Sequence, residues 1–146
     1  MNPIIMRKVA VFVSVLLVIM LASCENNSLT ERVTKTYDNG QPAKVRYFDK
    51  NNQCVYEKDY YENGALFMEG DIKDDLREGE WTSYFQDGKI QSKGSFEKDI
   101  RTGKSLIYYE NGNLWMEGNY KEGRRVGQWI YYDEQGYETQ RVDFGD

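Results

Sequence analysis

Residues 108–131 read YYENGNLWMEGNYKEGRRVGQWIY, and this stretch decides the architecture. The same pattern of residue types precedes it at 84–107, YFQDGKIQSKGSFEKDIRTGKSLI, and at 60–83, YYENGALFMEGDIKDDLREGEWTS. The spacing is 24 residues without insertion, and Gly40, Gly64, Gly88, Gly112 and Gly136 all fall on it. Self-similarity at a fixed period is the mark of a repeat protein, in which each unit buries its apolar surface only against its neighbours.

Three kinds of position define the unit. The first is a turn: Asp38-Asn39-Gly40, Glu62-Asn63-Gly64, Gln86-Asp87-Gly88, Glu110-Asn111-Gly112 and Glu134-Gln135-Gly136. Asn-Gly and Asp-Gly predict two-residue type I′ hairpins, because both central residues need positive φ. The second is a tyrosine four residues before the glycine, at Tyr60, Tyr84, Tyr108 and Tyr132. The third is Phe48, Ile72, Phe96, Tyr120 or Phe144, eight residues after it. A two-residue turn at Asp87-Gly88 sets Phe85 opposite Ile90, Trp81 opposite Gly94 and Gly79 opposite Phe96. An aromatic ring facing a strand glycine fills the hole that glycine leaves. Leu66, Met68, Gly70 and Ile72 alternate on one face with period two, as do Leu114, Met116, Gly118 and Tyr120. In this register Gly118 faces only Ser105. The other face pairs Tyr60 with Phe67 and Tyr108 with Trp115, beside Glu69 and Glu117.

The expected fold is all-β: an antiparallel meander of stacked hairpins over residues 37–146, about nine strands long. The second connection of each unit, ending at Gly79, Gly103 or Gly127, reads as the longer one. Twelve Tyr, three Trp and five of the six Phe lie beyond the N-terminal run, where Leu, Ile and Val are sparse, which suits cross-strand aromatic pairs on a thin sheet.

The N-terminus is a separate element. Arg7 and Lys8 precede residues 9–23, VAVFVSVLLVIMLAS, an apolar run shorter than a membrane-spanning helix needs. A basic start, a short apolar run and small residues describe a secretory signal over residues 1–23, expected to be an apolar helix. The run ends Leu21-Ala22-Ser23-Cys24, which resembles the lipobox of bacterial lipoproteins. That resemblance implies cleavage before Cys24, a lipid on its sulfur, export to the cell envelope and attachment to a membrane. Two or more acyl chains anchor stably. The alternative reading is an uncleaved, short membrane helix. Residues 25–36, ENNSLTERVTKT, are polar and aperiodic and read, with Cys24, as a tether. Lipidation would leave Cys54 as the one thiol, so no disulfide framework is expected.

Glu117-Gly118, Tyr120-Lys121, Gly123, Gly127, Trp129 and Tyr132 together resemble the MORN repeat. The Tyr-Glu-Asn-Gly turn and the 24-residue spacing resemble its bacterial variant, known from YwqK-type antitoxins and from lipoproteins. The match is full over residues 60–136. It is degenerate over 37–59, where Arg46, Val55 and Glu57 replace two glycines and the tryptophan; Ser105 replaces another tryptophan. Divergent ends suit capping units. The resemblance implies protein–protein contact or dimerisation, phospholipid contact, or an antitoxin-type binding role.

The chemistry expected is not catalytic. The chain has no histidine, which removes the commonest general base and a common metal ligand. No GxSxG, HExxH, paired CxxC or P-loop occurs, and no cofactor or metal is expected. A carboxylate pair among Glu69, Asp71 and Glu117 is weakened by Lys93 at the equivalent place in the intervening unit. The net charge is −5, or −7 once the signal is removed, which disfavours nucleic acid. Two constellations remain. Arg77, Arg101 and Arg125 recur at the repeat spacing, with Arg124 beside the last; they could meet lipid phosphate or an acidic partner, or could pair with Asp75, Glu78 and Asp99. The aromatics Tyr60, Phe67, Tyr108 and Trp115 could receive a protein partner or simply stabilise the sheet. Open terminal strands would permit an edge-to-edge homodimer.

Overall fold

The computed structural model describes residues 28–146. They form one open sheet of ten antiparallel strands in sequence order: β1 Thr30–Thr36, β2 Pro42–Phe48, β3 Cys54–Tyr60, β4 Leu66–Lys73, β5 Leu76–Tyr84, β6 Ile90–Glu97, β7 Ile100–Tyr108, β8 Leu114–Lys121, β9 Arg124–Tyr132 and β10 Glu138–Asp143. The expected signal helix and Cys24 lie outside the described residues.

The sheet starts earlier than the sequence pattern implies, so there are ten strands and not nine. Residues Thr30–Thr36, read above as tether, are β1. The turn at Tyr37–Gln41 closes like its later copies, with Gly40 N–H donating to Tyr37 O at 2.9 Å, and Val33 pairs with Val45. Every residue of β1 is exposed. An edge strand with no face to bury shows no alternation, and its charges discourage further strand addition.

The two kinds of connection are the reverse of the expectation. At the Asn-Gly and Asp-Gly turns the glycine alone has positive φ, as at Gly64 (83°) and Gly112 (90°). Gly112 N–H donates to Tyr109 O at 2.9 Å and Tyr109 N–H to Asn113 O at 2.9 Å. This is a three-residue loop, a type I turn followed by a left-handed glycine. The Asn or Asp before the glycine is selected for its side chain, since Asn111 Oδ1 accepts from Asn113 N–H and Asp87 Oδ1 from Lys89 N–H. The tight two-residue turns are the other ones: Asp74-Asp75, Lys98-Asp99 and Glu122-Gly123, with positive φ at both residues. Gly79, Gly103 and Gly127 do not close loops. They sit at bulges inside β5, β7 and β9 with φ between 58° and 66°.

Away from the loops the expected register holds: Gly79 pairs with Phe96, Trp81 with Gly94 and Ser83 with Ser92. At the loop itself Tyr84, not Phe85, meets Ile90. The glycines under the tryptophans are filled from the following strand. A Cβ on Gly70 would lie 2.5 Å from the Trp81 ring, and one on Gly118 2.3 Å from Trp129. Gly118 is therefore covered by Trp129 and not left to Ser105 alone. Each indole lies flat on the sheet and donates its N–H to a backbone carbonyl, Asp71 O at 3.0 Å and Asn119 O at 3.2 Å. A sheet without a second layer can bury an indole only if its neighbours close over it. Tyr120 at 5.1 Å and Phe144 at 6.4 Å do so, and Trp129 has no exposed surface. Ile72, Trp81, Phe96, Met116 and Trp129 make this face the core face.

Candidate functional site

The arginines recurring at 77, 101 and 125 stand on the core face. Each sits one step beyond a bulge, in register with Ile72, Phe96 or Tyr120. Their guanidiniums lie over the aromatic rings: Arg77 4.1 Å from the Phe96 centroid, Arg101 5.3 Å from Phe96 and 5.5 Å from Tyr120, Arg125 4.2 Å from Trp129. Stacking of this kind contributes roughly 0.5–1 kcal/mol per contact at exposed sites. The ladder thus forms the lid of the core as well as a row of cations.

The three differ in what else they hold. Arg77 Nε donates to Asp99 Oδ1 at 2.8 Å, and its backbone N–H to the same oxygen at 3.0 Å. This guanidinium holds the Asp99 carboxyl below the usual carboxylate range. Arg125 donates to Tyr131 Oη at 2.9 Å. Arg101 pairs with no carboxylate among the described residues. Of the acids expected to neutralise the ladder, Asp99 does so; Asp75 instead pairs with Arg46 at 3.1 Å, and Glu78 accepts from the Lys98 N–H at 3.1 Å. Arg124 is exposed beside Lys121, off the aromatic row.

The opposite face carries the aromatics Phe67 and Trp115, but their ring partners are Tyr61 at 5.0 Å and Tyr109 at 6.0 Å, not Tyr60 and Tyr108. The three-residue loop is the cause: it shifts the register at Tyr60 and Tyr108 and brings the following tyrosine alongside. Tyr61 and Tyr109 also bond to the next unit, donating to Tyr84 O at 2.8 Å and Tyr132 O at 2.9 Å. Trp115 remains 41% exposed. The carboxylates Glu69 and Glu117 accept hydrogen bonds from tyrosines, Tyr84 Oη at 2.7 Å and Tyr132 Oη at 2.9 Å. Tyr108 takes the equivalent place in the middle unit, where Lys93 stands for the carboxylate.

Lys104, 3.0 Å away, and then Tyr132 hold the Glu117 carboxyl below its ordinary range. A depressed folded value means stability present above the unfolded value, about 4.3, and lost as pH falls through the folded one. Lowering the pH from 6 to 3 is therefore expected to move the urea midpoint down, and Glu117→Gln to shrink that change. An unchanged slope in Glu117→Gln would show that this carboxylate carries none of it.

At the N-terminal end a charge cluster replaces the glycine–tryptophan stack. Glu57, 4% exposed, takes the tryptophan place and Arg46 the glycine place. Arg46 Nε meets Glu57 at 2.7 Å; Lys44 bonds Glu57 and lies 3.1 Å from Asp59. Burial pushes the Asp59 carboxyl up, with Lys44 opposing it. This cluster lines a cavity of about 270 Å³ together with Met68, Ile72 and Trp81. Its charges are spent on one another. Cys54 is a free, half-buried thiol whose pKa burial raises, the state of an inert cysteine.

Residues 77–98 and 101–122 each match the family model of the MORN repeat variant, so two adjacent units carrying Arg77 and Arg101 are units of that type. No curated protein matches the chain.

Proposed function

We propose that the chain is a non-enzymatic interaction module, anchored by lipid at Cys24 to a membrane of the bacterial cell envelope, whose repeated sheet receives a protein partner. The observation that carries this reading is the one-layer sheet itself. Ten strands expose both faces and both edges, and Trp115 stays 41% exposed on a surface of stacked tyrosines. Aromatic side chains held rigid by their neighbours are favoured anchors for protein contact. Carboxylates that a catalytic reading would need, Glu69 and Glu117, are engaged by tyrosine hydroxyls and lysines.

A glycan- or phospholipid-binding sheet is the competing reading, favoured by the exposed pair Lys121 and Arg124. Pull-down from envelope extract with the full chain separates the two. A stoichiometric protein that Trp115→Ala weakens supports the module, whereas glycan or liposome binding with no captured protein overturns it. The anchor is tested by metabolic palmitate labelling, expected in the wild type and lost in Cys24→Ala. Labelling that survives the substitution removes Cys24 as the lipid site.

A further inference from the structure

Two departures from the repeat pattern surround Arg101. At Arg77, Asp99 of the following unit occupies the second residue of a two-residue turn, donates its N–H to Arg77 O at 3.0 Å and returns its carboxylate to the Arg77 N–H and Nε–H. At Arg101, Gly123 of the following unit occupies the same turn place and makes the same backbone bond, N–H to Arg101 O at 3.0 Å. It has no side chain to return. The second difference is Ser105, at the place of Trp81 and Trp129. Gly70 and Gly118 are buried under indoles, while Gly94 is half-exposed, and a Cβ there would meet only Arg101 Nη1 at 3.8 Å and Ser105 Oγ at 3.9 Å. Ser105 is buried, and its Oγ has no hydrogen-bond partner among the described residues. A guanidinium and a buried, unpartnered hydroxyl thus lie beside the same half-exposed glycine, where the neighbouring units have an indole.

We propose that Arg101 is the point at which this sheet receives a carboxylate from a partner protein, an Asp or Glu side chain taking the place that Asp99 holds on Arg77. The neighbouring unit is the template, since the same arginine on the same register binds a carboxylate through two N–H groups. One guanidinium matches a monoanion, and the net charge of −5 disfavours a polyanionic surface. That the carboxylate comes from a protein rests on the interaction-module reading; the site itself does not.

The test uses the full chain in neutral detergent, with ¹⁵N NMR of the Gly94, Arg101 and Gly123 amides and of Arg101 Nε. The probe is blocked aspartate (N-acetyl, N′-methylamide), with blocked asparagine and inorganic phosphate as comparisons. Blocked aspartate is expected to shift these signals saturably and asparagine not to. Arg101→Gln should weaken binding about tenfold or more, the usual effect of losing a charge-assisted hydrogen bond. Gly123→Asp should abolish the response by supplying the carboxylate internally. It suits the backbone, because Asp99 already occupies the same turn place with φ 69° against 79° at Gly123. Asp99→Gly should create a second responding site at Arg77. Unmoved Arg101 signals, equal binding by Arg101→Gln, or phosphate binding as tight as aspartate would overturn the proposal. A partner captured equally by wild type and Arg101→Gln leaves the module reading standing and removes this site. Aspartate binding at Arg101 with no partner captured does the opposite.

Discussion

Trp129→Ala is expected to cost about 3–5 kcal/mol, the usual range for emptying a buried tryptophan site. The ring has no exposed surface, lies on Gly118, and carries Tyr120, Phe144 and Arg125 around it. Removing it exposes three side chains with no second layer to fall back on. Gly118→Ala attacks the same stack from beneath. Its Cβ would lie 2.3 Å from ring carbon, with strand backbone below and no flexible atom to give way, so a loss of about 1–3 kcal/mol follows. Gly94→Ala is the internal control. The same position in the middle unit has its nearest atoms at 3.8 and 3.9 Å, so the substitution should stay within about 0.5 kcal/mol of wild type. The double variant Gly118→Ala with Trp129→Ala should cost little more than Trp129→Ala alone, because the methyl then occupies space the ring has left. Urea midpoints by far-UV circular dichroism measure all four. Equal losses from Gly94→Ala and Gly118→Ala would mean that backbone propensity, not the indole, sets the requirement for glycine.

The repeat spacing and the period-two alternation made the sheet and its inner register legible, down to Trp81 opposite Gly94. The connections were not, for a physical reason. Asn-Gly serves a type I′ turn through two left-handed residues. It equally serves a three-residue loop through one such residue and an Asx bond, and spacing alone does not separate them. The deciding feature lay at Asp74-Asp75 and Lys98-Asp99, where residues other than glycine adopt positive φ. That one-residue difference moved the ring partners of Phe67 and Trp115 to Tyr61 and Tyr109. β1 was hidden because an exposed edge strand has no buried face to print a pattern. The arginine row was legible from its spacing, but its relation to the aromatic core was not. The two-residue bulges at Gly79, Gly103 and Gly127 bring those arginines level with Ile72, Phe96 and Tyr120, and a bulge glycine looks like a loop glycine in sequence.

Restoring the repeat at its degenerate end should expose how the charge cluster works. Glu57→Trp alone is expected to lose about 3 kcal/mol or more, since it removes the acceptor shared by Lys44 and Arg46 and sets an indole against the Arg46 side chain. Lys44 and Arg46 are each more than a quarter exposed and keep Asp59 and Asp75, which holds the loss at the lower end of the range for breaking a buried pair. Adding Arg46→Gly removes the clash and recreates the glycine–tryptophan stack seen at Gly70 and Trp81. The double variant should return to within about 1 kcal/mol of wild type or exceed it, because well-packed apolar groups often match or surpass a buried ion pair. The coupling between the two substitutions is then at least about 2 kcal/mol, and larger by whatever Arg46→Gly alone costs. A double variant as unstable as Glu57→Trp would show that the first unit has diverged beyond these two positions. Recovery would show that Arg46 and Glu57 do the same structural task as glycine and tryptophan, with charge in place of a ring.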